Sequence, residues 1–467
     1  MEFQVVVLAG GTSKNLVPLV SKDVPKALLP VANRPVLSYV LELLESSNLR
    51  DLIVVVEGQD NAVRIGGWIS SAYVDRLHVE VADVPEDVGT AGALRSVAHH
   101  LTASDILVVS GDLVCDVPPG AVAATHRRHN AAVTALLCAA PVGGHSEIGG
   151  SGGKDKAKKP GQHNIMGLDS TKQFLLNVTS GADVHKDLRI LKTILCASGQ
   201  MEIRSDLMDA HLYAFKRTVL LDILDQHPAF HSIKQDVVPY LVKSQLLSSL
   251  KLEVSANGAS QMEEGWNDGV ASQIDHLWYT QRQMGPVSTF DDLVAGFPHD
   301  FFSIRRVHKC CAYIASKNKY CLRLNSIQAF CDINRDVIGD ASHLSGYSFS
   351  AQNNIIHPSA ELGNKTTVGP NCMLGEGSQL GDKCSVKRSV IGCHCRIGSN
   401  VKIANSVVMN YVTIEDGCSI QGSVICSNVN LQERVVLKDC QVGAGYVITA
   451  GSEYKSESLA RKEKSTQ

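Results

Sequence analysis

From Ile356 onward the chain repeats itself every six residues, and few folds accept that period. An aliphatic residue returns at Ile356, Leu362, Val368, Leu374, Leu380 and Val386, with glycine after it at Gly363, Gly369, Gly375 and Gly381. Four positions after each aliphatic residue the side chain is small: Ala360, Thr366, Cys372, Ser378, Cys384 and Val390. This is the hexapeptide pattern of a left-handed parallel β-helix, in which each hexad forms one side of a triangular coil and the aliphatic residue fills the axis. The period then tightens. Ser389-Val390-Ile391, Ser406-Val407-Val408 and Ser423-Val424-Ile425 recur 17 residues apart, so each coil has one corner residue fewer than three full hexads. The aliphatic phase continues through Ile391, Ile397, Ile403, Val408, Ile414, Ile420, Ile425, Leu431 and Leu437. We assign the β-helix to residues 350–445 and a charged tail to 446–467.

The repeat also accounts for much of an unusual cysteine count. Of 14 cysteines, Cys372, Cys384, Cys395 and Cys418 occupy the small position, which is a packing role. No Cys-x-x-Cys pair occurs, and Cys310-Cys311 and Cys393-His394-Cys395 lack the second half of a tetrahedral zinc site. The expectation is small, buried, reduced thiols and no metal.

Before the repeat, β-like apolar runs alternate with amphipathic helical patterns, the signature of an α/β sheet with covering helices. Candidate strands are Phe3 to Ala9, Leu52 to Val56, Leu77 to Ala82, Asp105 to Ser110 and Ala132 to Ala140. Pro35 opens a helix whose Leu37, Val40, Leu41 and Leu44 fall at i, i+3, i+4 and i+7. The first strand runs into Gly10-Gly11, at the carboxyl edge where open α/β sheets bind ligands. Residues 143–163 are rich in glycine and lysine and read as a flexible surface loop; residues 254–306 read as an irregular insertion. The first domain then covers residues 1–335. A net charge of −3 supplies no strong field for gripping nucleic acid, so no direct nucleic-acid partner is expected. No apolar run has membrane length and no leader-like segment precedes Phe3, so the expected setting is the cytosol, with no membrane partner.

Two segments carry chemistry. Leu8-Ala9-Gly10-Gly11-Thr12-Ser13-Lys14-Asn15-Leu16-Val17-Pro18-Leu19 is followed by Pro25-Lys26-Ala27-Leu28-Leu29-Pro30-Val31-Ala32-Asn33-Arg34-Pro35. Together they resemble the signature of the sugar-phosphate nucleotidyltransferases, the nucleotide-sugar pyrophosphorylases. The resemblance implies a Rossmann-like nucleotidyltransferase domain, with a glycine-rich turn at the nucleotide phosphates and an arginine and a lysine neutralising the leaving pyrophosphate. Gly89-Thr90-Ala91-Gly92-Ala93-Leu94 is similar to the family's base-contacting turn, and Gly111-Asp112 to its metal-binding Gly-Asp. Asp209-Ala210-His211-Leu212-Tyr213 and Ser232 to Pro239 fit later core segments, with His211 at a position usually held by glycine.

The departures from that signature fall on functional positions. Ser13 replaces a glycine, Asn15 stands at the arginine position, and Leu175-Leu176-Asn177 follows Phe174 where the family has Glu-Lys-Pro. Trp266-Asn267-Asp268 mimics the family's second metal-binding aspartate but lies too far upstream. Counting back from Asn334-Arg335 puts the equivalent segment at Cys321 to Ser326, with Arg323 at the aspartate position. An arginine there repels Mg²⁺.

This combination of degraded site, internal Gly/Lys loop and 17-residue coils is similar to the gamma subunits of eukaryotic translation initiation factor 2B. The resemblance implies a non-catalytic subunit with no cofactor. It would pair with the epsilon subunit and the other subunits of initiation factor 2B to promote GDP/GTP exchange on the GTPase translation initiation factor 2. The family's exchange activity resides in a C-terminal helical domain of epsilon, which this chain is not expected to carry. Gly10, Gly11, Lys26, Gly89 and Asp112 would be a vestigial nucleotide-binding set. One alternative is an active sugar-1-phosphate guanylyltransferase. Another is an acyltransferase using His394 or His357 between coils.

Overall fold

In the computed structural model the structure describes residues 3–11, 14–21, 24–140, 164–179, 188, 190, 194, 198–245, 308–350 and 352–460. The insertions expected at 143–163 and 254–306, and with them Trp266-Asn267-Asp268, lie outside the described residues.

The first domain is built on a seven-stranded sheet. Its strands are β1 (Phe3–Leu8), β4 (Asp51–Glu57), β5 (His78–Val84), β6 (Asp105–Ser110), β8 (Val133–Ala139), β12 (Leu207–Lys216) and β13 (Cys310–Ile314), in the order β13-β8-β12-β6-β1-β4-β5. Between them in the chain lie β2 (Pro30–Val31), β3 (Arg34–Pro35), β7 (Leu113–Cys115), β9 (Ile165–Asp169), β10 (Leu175–Thr179) and β11 (Met201–Arg204); β14 (Cys321–Arg323) follows β13. Strands β6, β1, β4 and β5 run parallel, as the alternating pattern leads one to expect. Strand β12 instead runs antiparallel to both neighbours. The five early strands match runs in the sequence: β1, β4, β6 and β8 are apolar at consecutive positions because both their faces are covered, whereas β5 at the sheet edge alternates. Helix α1 (Val36–Ser46) begins directly after Pro35 and buries Leu37, Val40, Leu41 and Leu44. Two apolar cores result, one on each face of the sheet.

The second domain is a stack of coils whose short strands form three parallel sheets of seven, six and six strands. Register follows the sequence period. Ile356 pairs with Leu374 and Val368 with Val386, 18 residues apart, whereas Leu374 pairs with Ile391 and every later step is 17. Inward-facing aliphatic residues from Leu374 to Ile448 form one axial core. The small-position thiols are buried and donate to carbonyls 14 residues on: Cys384 Sγ to Gly398 O at 3.0 Å, Cys395 to Met409 O at 3.1 Å and Cys418 to Gln432 O at 3.1 Å. Ser378 Oγ makes the equivalent bond to Gly392 O at 2.6 Å, so the site selects a small donor rather than a metal ligand. Cys372, Cys384, Cys395 and Cys418 are not in disulfides.

The coils extend beyond the expected limit of 445. Val447–Ile448, Glu453–Lys455 and Ser458–Leu459 add further strands, with Tyr454 at the axial position above Leu437, so residues 446–459 are not a tail. Of the expected tail only residues 460–467 remain, and 461–467 lie outside the described residues.

One side of the stack rests on the first domain. Its outward residues Ile355, Met373, Val390, Val407 and Val424 pack with Leu16, Leu29, Val31, Phe330 and Ile333 in a shared apolar cluster. On the next coils the same column becomes Gln441 and Ser458. The turn between β2 and β3 anchors the contact. Ala32 and Asn33 both have positive φ, at 45° and 60°, as a two-residue hairpin turn with the twist of its strands requires. Ala32 N–H donates to Asn334 Oδ1 at 2.9 Å and Asn33 Nδ2 to Ile391 O at 2.9 Å. Asn334 is buried and closes its other valence on Phe330 O.

Candidate functional site

Strands β1 and β6 are neighbours, so the turns that leave their carboxyl ends meet. Gly111 packs against Ala9 so closely that a Cβ on it would lie 3.0 Å from the Ala9 Cα. Gly10, Gly11 and Asp112 therefore sit together, as expected of a ligand-binding edge. Lys26 arrives from the turn before β2 and β3, and Arg323 from β14, which pairs antiparallel with β7 and sets Arg323 opposite Leu113.

Asp112 is the centre of this group and is buried. Its Oδ1 accepts from Arg323 Nε at 2.9 Å and Ser110 Oγ at 2.6 Å; its Oδ2 accepts from Arg323 Nη2 at 3.0 Å and Lys26 Nζ at 2.5 Å. A carboxylate offers about four lone-pair positions, and all are taken. Burial alone would raise the Asp112 carboxyl, but the Arg323 and Lys26 charges outweigh it and hold it well below the usual carboxylate range. Arg323 is likewise held charged: burial works against it and Asp112 overcomes that.

Magnesium does not fit these residues. A phosphate-bridging Mg²⁺ needs carboxylate oxygens with free lone pairs, usually from two side chains. Here the first carboxylate is saturated and the second is replaced by a guanidinium. Among the described residues, no group of three or more His, Cys, Asp or Glu is arranged to hold a metal ion.

The glycine-rich turn is also engaged. Gly11 N–H donates to Glu57 Oε2 at 2.8 Å, and Glu57 Oε1 accepts from Asp87 N–H. A carboxylate thus stands at the turn whose N–H groups would face nucleotide phosphates. Gly89 makes its contacts elsewhere, at the start of the helix Gly89–Ser96, where its φ is 69° and a Cβ would come within 2.4 Å of His231 O. Ala91 N–H donates to His231 O at 2.9 Å, and Thr90 Oγ1 accepts from Ile233 N–H at 2.9 Å. The base-contacting turn of the sequence reading is bound to the segment leading to Pro239.

One partner in this group, Glu57, was missed by sequence reasoning. Glu57 contacts Gly11 across 46 positions, which no local pattern reveals. His211 lies in an irregularity of β12 with φ 56°, which explains why glycine is usual there. Its Nε2 is buried without a partner, and burial, reinforced by Arg323 and Lys234, keeps the ring neutral. Burial also lowers Lys234, which Asp209 partly offsets. His394 and His357, the acyl-transfer candidates, are exposed. His394 stacks on Tyr411 at 5.2 Å and His357 bonds Ser359 at 2.8 Å, so neither lies in an enclosed site between coils.

Comparison with known proteins agrees with this architecture. A family model described as nucleotidyl transferase matches residues 4–152, and one described as the EIF2B subunit epsilon LbH domain matches residues 351–454. The chain is 31% identical to translation initiation factor eIF2B subunit gamma of Dictyostelium discoideum, over 85% of this chain and 88% of that protein. It is 27% identical to the same subunit of Schizosaccharomyces pombe, over 99% of this chain and 91% of that protein. Identity to a mannose-1-phosphate guanyltransferase of Gibberella zeae is 21%, over 92% and 97% of the two chains.

Proposed function

Because this chain belongs to the family of translation initiation factor eIF2B gamma subunits, we propose that it serves in that complex as a non-catalytic subunit. In this reading it pairs with the epsilon subunit in the cytosol and promotes GDP/GTP exchange on translation initiation factor 2 through surface contacts. An exchange factor must bind its GTPase differently in the two nucleotide states, and a rigid subunit contributes to that difference without chemistry of its own. The observation that carries the reading is Arg323 on Asp112. Nucleotidyl transfer needs a metal across the phosphates, and Arg323 occupies both carboxylate oxygens of Asp112, the group that would hold it. Gly10, Gly11, Lys26, Gly89 and Asp112 are then structural remnants of a nucleotide site, tied to Glu57, Arg323 and His231.

Two measurements test this. Purified protein with GTP, mannose 1-phosphate and Mg²⁺ should release no pyrophosphate above a no-enzyme control; sustained turnover would establish the guanylyltransferase reading instead. Affinity purification followed by mass spectrometry should recover the other subunits of the factor, and recovery of the chain by itself would count against the assembly.

A further inference from the structure

Two polar side chains in the Asp112 cleft take no part in its hydrogen-bond network. Strand β12 runs antiparallel to β6 with Leu212 opposite Val109, so His211, one residue before Leu212, stands at the strand end that carries Asp112. Its backbone is fixed there, since its N–H donates to Asp209 Oδ1 at 2.8 Å. Its ring Nε2 is buried and has no hydrogen-bond partner, yet the residue as a whole keeps some exposure and so lines the cleft. Lys234 comes from the turn Ile233–Val237, where Val237 N–H reaches back five residues to Ser232 O at 3.2 Å. Such π-type turns are rare and gather at functional sites.

Neither group is compensated from within the cleft. Among the described residues no hydrogen bond or ion pair reaches the Lys234 ammonium; Asp209, the carboxylate that favours its charge, is closed by Tyr213 Oη at 2.6 Å and by His211 N–H. Burial first, then the Arg323 and Lys234 charges, keep the His211 ring neutral, which sets cations around a nitrogen that carries no charge itself. A partly buried ammonium and a buried ring nitrogen each cost stability while unpaired, and a single oxyanion relieves both.

We propose that His211 and Lys234 together hold a small oxyanion, a phosphate or carboxylate group, with the His211 Nε2–H donating to it and the Lys234 ammonium balancing its charge. The position is separate from the glycine-rich turn, whose Gly11 N–H is taken by Glu57. A glycine at position 211, usual in the family this segment resembles, would supply no donor, so the site follows from this chain's departure at that residue. The inference does not depend on the subunit assignment.

The test is thermal unfolding of the full chain in inorganic phosphate or in acetate, each at about 20 mM with chloride lowered to hold ionic strength constant. The anion should raise the melting temperature by about 2 °C or more, and the larger of the two shifts identifies the group as phosphate or carboxylate. In protein labelled with ¹⁵N-histidine the anion should move the Nε2 resonance of His211, assigned by its loss in H211G. Glycine accepts the φ of 56° at this position without strain, so H211G should fold, and it should weaken the anion about threefold or more. K234Q replaces an unpaired charge by a neutral amide, should also fold, and should weaken the anion about tenfold or more. K402Q/K438Q, which removes two exposed charges from the β-helix, should leave affinity within about twofold. No shift with either anion, an unmoved His211 resonance, or an undiminished shift in K234Q would overturn the proposal, the last by showing that the anion binds elsewhere.

Discussion

Arg323 grips Asp112 through two hydrogen bonds, 2.9 and 3.0 Å long, across 211 residues of chain. Both groups are nearly buried, with side chains 15% and 4% exposed, so neither charge is well solvated without the other. Removing one partner of such a pair leaves an uncompensated buried charge, at a cost of about 3–5 kcal/mol. R323A should therefore lower the denaturation midpoint markedly, and R323A/D112N should recover part of the loss. Urea unfolding of the two variants measures this; a double variant no better than the single would mean the pair is not coupled.

The same pair sets an acid limit. The Asp112 carboxyl is depressed in the folded state, so its contribution is complete above the unfolded value near 3.9 and is lost as pH falls below it. Thermal melts of D112N should show a shallower decline below about pH 4 than the unaltered chain.

His126 governs a milder range. Burial pushes its imidazole down to about 4, despite Asp105 nearby, while the unfolded value is about 6.5. The folded state holds it neutral, so stability present above about pH 6.5 drains away as pH falls toward 4, by about 3 kcal/mol in total. H126Q should flatten melting temperature between those limits, and an unchanged slope would assign the decline to other groups.

Asn334, on the helix Ile327–Val337, ties that helix to the hairpin of the first domain. N334A strips the acceptor from the buried Ala32 N–H and should cost about 1–3 kcal/mol. Hydrogen exchange is the informative readout: protection should fall at Ala32 and along the coils that rest on the hairpin, more than in the sheet.

Within the coils, C395S preserves a donor to Met409 O and should change stability by less than about 1 kcal/mol, whereas C395V leaves that carbonyl unpaired and should cost about 1–2 kcal/mol. Equal effects of the two would assign the cysteine to volume alone.

Periodicity made the coils legible because each step places one aliphatic residue on one axis. The last coils were hidden by Tyr454, an aromatic residue at an axial position, set among charged neighbours from Lys455 onward. The early strands were equally plain, but the antiparallel β12 was not, since apolar content records burial and not strand direction. Arg323 could be located from its spacing to Asn334-Arg335. Its full effect on Asp112 could not, because saturation of the carboxylate also needs Lys26, which arrives from a turn 86 residues away, and Ser110 at the end of β6. Asn334 served only as a ruler in the sequence, and its bond to Ala32, 302 residues away, appears only in the fold.

A cleft that holds its carboxylate with its own arginine and lysine carries its counter-ions permanently. Here Asp112 is neutralised by Arg323 and Lys26, side chains of the same chain, so the charge at the centre of the cleft is balanced by folding itself.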